Sequence, residues 1–283
     1  MKISLEHLPP RKQGQLAAVV NEICAAVDVE MVILFGSHAR GDWVEDPAGG
    51  YFSDLDVLVI VKNPTIVEQH DLWSAIEQRA ARHTAPADLS IIVHDLDEVN
   101  RQLELGHYFF SDIVKEGIAL YDAGRITLSE ALEKSPEERR RYARANFDTW
   151  FGSADDFMIA FEALVQKGRY NIAAFQLHQA AERYYTAALL VLTEYKPKSH
   201  NLDHLGKRAA ALAPSLRDVF PRRPPEAARL FKLLKKAYVD ARYATSFAIT
   251  EADLLALALR VRDLRERVML LCRERTGEAS TLN

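Results

Sequence analysis

Two aspartates one residue apart, Asp54 and Asp56, open the aliphatic run SDLDVLVIV at 53–61. Successive strand residues alternate sides, so both carboxylates project to one face. Paired carboxylates are hard oxygen ligands. They suit divalent cations that bridge phosphate oxygens and polarise an attacked phosphorus. Upstream, MVILF at 31–35 runs straight into Gly36-Ser37. Glycine lets a backbone approach a phosphate closely, and a serine hydroxyl with successive amides at a helix start can bind phosphate oxygens. A third acid, Asp88, opens the run DLSIIV. If the two strands are neighbours, Asp88 faces the same centre, where it completes the coordination or takes the proton of an attacking hydroxyl. Each piece alone is common in proteins; the ordered set points to a phosphate-and-metal site.

The elements that must position these residues have two textures. MVILF at 31–35, DVLVIV at 56–61, LSIIV at 89–93 and IALY at 118–121 are short β-branched runs bounded by turn residues, which read as strands. Amphipathic patterns over 13–27 and 66–83 read as helices. This first part is a small α+β domain, a mixed sheet with helices, over 1–125. Beyond Gly124 the strand signals stop. Ser135, Pro136 and Glu138 form an N-cap, first-turn proline and capping-box set. The long helix they open runs to about Lys167, and further helices cover 170–194 and 200–213. Pro224 and Pro225 open one to about Tyr243, and Thr250 caps a last one ending near Gly277. The second domain, 135–277, is an all-α bundle of about five helices. The tail after Thr276 reads as frayed.

With 283 residues, 48% hydrophobic and 27% charged, the composition is that of an ordinary globular protein. A formal net charge of −4 does not fit a chain that coats nucleic acid. The two cysteines, Cys24 and Cys272, lie in apolar helical contexts and read as buried free thiols in a reducing compartment. The N-terminal MKISLEHLPPRKQG has no signal-peptide pattern, and no stretch reaches the ~20 apolar residues of a spanning helix. The expectation is a cytoplasmic protein without membrane partners.

GSHARGD followed by SDLDVLVIV resembles the polymerase β-type nucleotidyltransferase superfamily, especially its minimal nucleotidyltransferases, over roughly residues 15–121. The resemblance implies transfer of a nucleoside monophosphate from an NTP, with two Mg²⁺ ions. AMP from ATP is the expected case. It also implies that Gly36 and Ser37 hold the triphosphate and that Asp54, Asp56 and Asp88 bind metal. Arg40, in the Ala-Arg-Gly segment, would neutralise phosphate. The Gly-Ser to Asp-x-Asp spacing is often shorter in that family. The extra residues, roughly 43–51 with Gly49 and Gly50, form a longer loop expected at the mouth of the site.

In the helical half, LHQAAERYYTAALL, SHNLDHL and AYVDARY are polar clusters set in apolar surroundings. Their order and spacing over about 145–270 resemble the HEPN family, which is all-helical, typically dimeric and often joined to minimal nucleotidyltransferases. Many HEPN domains are RNases with an Arg followed, four to six residues on, by a His. Arg242 stands at the arginine, but YATSFAIT follows it without a histidine. The resemblance therefore implies a homodimerisation and substrate- or nucleotide-binding module, with His178, Glu182, His200 and Arg242 as its polar candidates. Arg242 would pair with Asp240 or with an acid on another helix. Two alternatives stay open. One is a fused toxin–antitoxin-like regulator or HEPN RNase with a nucleotide-sensing first half. The other is an aminoglycoside nucleotidyltransferase, for which Glu45 and Asp46 would supply acid toward ammonium groups. The acceptor is left undetermined: protein, RNA or small molecule.

Overall fold

A computed structural model describes residues 1–47, 51–197 and 199–277. Gly49 and Gly50 of the long loop, and the tail beyond Gly277, lie outside the described residues. The chain divides into two compact units, Met1–Glu133 and Lys134–Asn283.

The first unit runs α1 (Pro10–Ala26), β1 (Met31–Phe35), α2 (Ser37–Arg40), β2 (Glu45–Asp46), β3 (Tyr51–Phe52), β4 (Leu55–Val61), α3 (Pro64–Val67) and α4 (His70–Thr84), then β5 (Leu89–Asp95), α5 (Leu96–Glu104), α6 (Tyr108–Glu116) and β6 (Ile118–Asp122). The main sheet has the order β5-β4-β1-β6. β1 is antiparallel to both β4 and β6, and β4 is parallel to β5. The mixed sheet with helices expected from the sequence is present. β1 and β4 read as unbroken aliphatic runs because the sheet is covered on both faces. Val32, Leu34, Val57 and Val59 share a core with Leu16, Val19 and Ile23 of α1 and with Trp73, Ile76 and Ala80 of α4. On the other face Phe35 meets Phe109 of α6 edge-on at 5.5 Å.

Two features differ from the sequence reading. The helix expected over 66–83 is two helices, because the Ile66 carbonyl is taken by the Gln69 amide and the Trp73 indole rather than by a continuing α-ladder. The long loop carries a small hairpin, β2–β3, whose two-residue strands are too short to leave a periodic pattern.

The second unit is helical: α7 (Pro136–Gln166), α8 (Tyr170–Thr193), α9 (Leu202–Leu212), a 3₁₀ turn at Pro214–Leu216, α10 (Pro225–Ala237), α11 (Asp240–Tyr243) and α12 (Glu251–Thr276). Ser135 and Glu138 form the reciprocal capping box at the start of α7. α8 is buried along most of its length and is the hub of the bundle core. The helix expected to reach Tyr243 ends at Ala237, and a separate single turn, α11, follows. Cys272 is buried, which pushes its thiol up to about 12, whereas Cys24 is only half-buried. No helix among the described residues is long and apolar enough to cross a membrane.

Candidate active site

Strand parity explains where the acids stand. Along β4 the odd positions 55, 57, 59 and 61 are buried in the core shared with α1 and α4. The even positions face the other side, where Leu58 and Ile60 are buried. Asp56 is the first even residue of β4, and Asp54 precedes it by one alternation. In the parallel register Asp56 lies opposite Ser90, and the Leu55 amide donates to the Asp88 carbonyl at 2.8 Å. Asp88 therefore continues β5 beside Asp54 and shares the parity of Ser90 and Asp56. The apolar face thus turns polar at one end, with Asp54, Asp56, Asp88 and Ser90. Asp54 and Asp56 are half-buried, and Asp88 is exposed. Among the described residues, no group of three or more His, Cys, Asp or Glu side chains is placed to hold a metal ion, so Asp54, Asp56 and Asp88 share a sheet face without converging on one point.

Gly36 is fitted to this end of the sheet. Phe35 lies opposite Asp56 in the β1–β4 register, so the next residue turns over the Asp56 carboxylate. Gly36 adopts φ 73° and ψ −154°, a region essentially reserved for glycine. A Cβ there would stand 2.7 Å from Asp56 Oδ2. Backbone and carboxylate approach as only glycine permits. Ser37 opens the single turn α2, which closes with the Gly41 amide on the Ser37 carbonyl at 2.9 Å. Arg40, at its end, is exposed and pairs with Asp42 at 3.2 Å.

Beneath α2 lies a buried polar array. His38 is fully buried and Lys12 is 3% exposed. His38 Nδ1 is 3.0 Å from the Asp54 carbonyl, and its Nε2 is 3.1 Å from Lys12 Nζ. Lys12 also pairs with Glu45 of β2 at 2.7 Å, which holds the Glu45 carboxyl below its ordinary range. Trp43 stacks on the His38 ring at 5.6 Å. The His38 carbonyl accepts from His7 Nε2 at 2.8 Å. Burial, followed by the Lys12 charge, pushes His38 down to about 4. Sequence reasoning missed Lys12, Trp43 and the role of Glu45 here. One signal was present: Lys12 falls on the same α1 stripe as Leu16, Val19 and Ile23, a cation where the amphipathic pattern calls for an apolar residue.

In the helical unit three of the four polar candidates meet. His200 Nδ1 donates to Glu182 Oε1 at 2.9 Å, and His200 stacks on Tyr238 at 4.7 Å. His178 Nδ1 donates to the Leu234 carbonyl at 3.0 Å. Its Nε2 lies 3.7 Å from Glu182 Oε2 and has no hydrogen-bond partner among the described residues. Burial lowers the His178 pKa and favours the neutral ring. A cleft of about 440 Å³ opens beside His178, His200, Lys236 and Tyr238. Among the described residues, Arg242 pairs neither with Asp240 nor with another acid. Its guanidinium donates to the Tyr238 carbonyl at 2.8 Å and lies over Phe175 at 4.5 Å and Tyr243 at 4.9 Å. Tyr238, which links both sides of this cluster, was not singled out from the sequence.

A glycine turn closing over the second of two paired carboxylates at the start of a strand, in a mixed sheet with a following helical bundle, defines the class of a nucleotidyltransferase joined to a helical partner domain. Family models match in that order: a nucleotidyltransferase domain over residues 16–119 and a HEPN domain over 147–271. The first match lies within the first unit and the second within the helical unit. Among solved structures, it is similar to a nucleotidyltransferase-like protein from Exiguobacterium sibiricum, at 12% identity over 93% of this chain and 78% of that one. The TM-score is 0.32, too low to carry a structural conclusion. No curated protein matches the chain significantly.

Proposed function

We propose that the protein transfers a nucleoside monophosphate, AMP from ATP being the expected case, to an acceptor hydroxyl. The observation that carries this reading is the approach of Gly36 to the Asp56 carboxylate within the matched nucleotidyltransferase domain. Gly36 and Ser37 would bind the triphosphate, with Arg40 available to phosphate once it leaves Asp42. The all-oxygen donor set of Asp54, Asp56 and Asp88 fits Mg²⁺, which keeps waters and phosphate oxygens among its ligands and needs no closed protein cage. Two such ions, when bound, would neutralise the triphosphate and polarise its α-phosphorus. The acceptor oxygen forms a bond to that phosphorus, the bond to the bridging oxygen breaks, and pyrophosphate leaves. Asp88, which is exposed, would take the acceptor's proton.

The HEPN unit is assigned the acceptor and self-association. Its cleft at His178, His200 and Tyr238 supports the first role. Exposed Leu255 and Leu259, one turn apart on α12, support a homodimer. Incubation with labelled NTPs, Mg²⁺ and cell extract tests the reading. Label should move to an acceptor with wild type and not with Asp56→Asn. No transfer by wild type, or equal transfer by both, rejects it.

A further inference from the structure

The polar array under α2 has one internally consistent protonation pattern. A lysine ammonium can only donate, so His38 Nε2 must accept from Lys12. A carbonyl can only accept, so His38 Nδ1 must carry a proton and give it to Asp54. Lys12 thereby selects the Nδ1–H tautomer of His38. Glu45 fixes Lys12 from the hairpin side, and Trp43 holds the plane of the ring.

The end of this chain of contacts is the main chain of Asp54, one residue before β4 begins. The Asp54–Leu55 peptide is held from two sides, by the Leu55 amide on the Asp88 carbonyl at 2.8 Å and by His38 Nδ1–H on the Asp54 carbonyl at 3.0 Å. A carboxylate that must meet a cation within a few tenths of an ångström needs its backbone held, and outer partners of metal ligands typically set affinity by 10–100-fold.

We propose that Lys12 and His38 are positioning residues that hold the Asp54 backbone, and with it the Asp54–Asp56 carboxylate pair, in metal-binding geometry, and that Glu45 of β2 locks them through Lys12. This rests on the nucleotidyltransferase reading. It gives the longer loop a structural task in the donor half of the reaction.

The test uses the full chain at constant pH, with Mn²⁺ titrated by electron paramagnetic resonance in the presence of ATP, and with metal-free ATP binding and thermal unfolding measured on the same samples. His38→Phe keeps the ring on Trp43 and removes both polar atoms. It should weaken Mn²⁺ about tenfold or more while metal-free ATP binding stays within threefold. His38→Asn places an amide N–H near the Nδ1 position and should recover Mn²⁺ affinity to within threefold of wild type. Lys12→Met keeps the stem, frees the tautomer and should weaken Mn²⁺ several-fold; it decides the matter if His38→Phe does not fold. Nitrogen NMR of wild type should show His38 protonated at Nδ1. Wild-type Mn²⁺ affinity in folded His38→Phe or in Lys12→Met overturns the inference. So does His38→Asn as weak as His38→Phe, since an N–H restored toward the Asp54 carbonyl would then not restore the site. Wild type that binds no Mn²⁺ with ATP overturns the nucleotidyltransferase reading, and this inference with it.

Discussion

Replacing Gly36 by alanine has two separable costs. The first is conformational: φ 73° and ψ −154° suit glycine, and holding another residue there costs about 1–3 kcal/mol. The second is local to the site. The new methyl would stand 2.7 Å from Asp56 Oδ2, and ordinary contact begins at 3.4 Å. The carboxylate must therefore withdraw by roughly 0.7 Å, and misplacement on the scale of 1 Å costs about 10²-fold in rate. Gly41 supplies the control. It too has positive φ, at 90°, but a methyl there meets only His7 Cδ2 at 3.6 Å, an ordinary contact. Gly41→Ala should lose about 1–2 kcal/mol of stability from the left-handed backbone alone. Denaturant unfolding should therefore give comparable losses for the two variants. Label transfer from NTP should fall about a hundredfold for Gly36→Ala and by much less for Gly41→Ala. Equal activity in two folded variants would refute the reasoning, because it would mean that the approach of Gly36 to Asp56 has no functional consequence.

In the helical unit, Asp155 accepts two hydrogen bonds from Arg265, at 2.7 and 2.8 Å, and one from the buried Tyr184 hydroxyl at 2.5 Å. Asp155→Ala orphans that hydroxyl and should cost about 2–3 kcal/mol in urea unfolding; a loss under 0.5 kcal/mol contradicts this. Burial, reinforced by Arg208, pushes His204 down from 6.5 to about 4. The unfolded chain then binds more protons between these values, so the stabilisation is complete above about pH 6.5 and is lost as pH falls toward 4, roughly 3 kcal/mol at most. Thermal melts of full-length His204→Gln should show a flatter dependence over that window than wild type, and an unchanged slope would exclude His204 as its source.

How much of this was legible in the sequence followed from where the physics is local. β1 and β4 announced themselves because both faces of the sheet are covered, leaving aliphatic runs without alternation. The start of α7 was legible in three residues, since a capping box is a contact between near neighbours. The common face of Asp54, Asp56 and Asp88 followed from parity once β4 and β5 were assumed adjacent, and they are. What escaped was long-range. The break after Val67 depends on a Trp73 indole reaching the Ile66 carbonyl. The split between α10 and α11 accompanies Arg242 turning to the Tyr238 carbonyl instead of to an acid. The Lys12–His38 array joins α1, α2, β2 and the entry to β4, and only the misplaced cation on the α1 stripe hinted at it. In the helical unit, His200 and Glu182 were each visible as polar residues, but their meeting at Tyr238 belongs to the packing of α8 against the segments around α9 and α10.

The central claim is that this site moves a nucleotidyl group and not a phosphoryl group, and the position of the label decides it. ATP labelled at the α-phosphate and ATP labelled at the γ-phosphate should be supplied separately with Mg²⁺ and cell extract, to wild type and to Asp54→Asn. The account predicts acceptor labelling from the α-phosphate only, release of the γ-label as pyrophosphate, and loss of both in Asp54→Asn. Acceptor labelling from the γ-phosphate, or α-label transfer that survives Asp54→Asn, would contradict it.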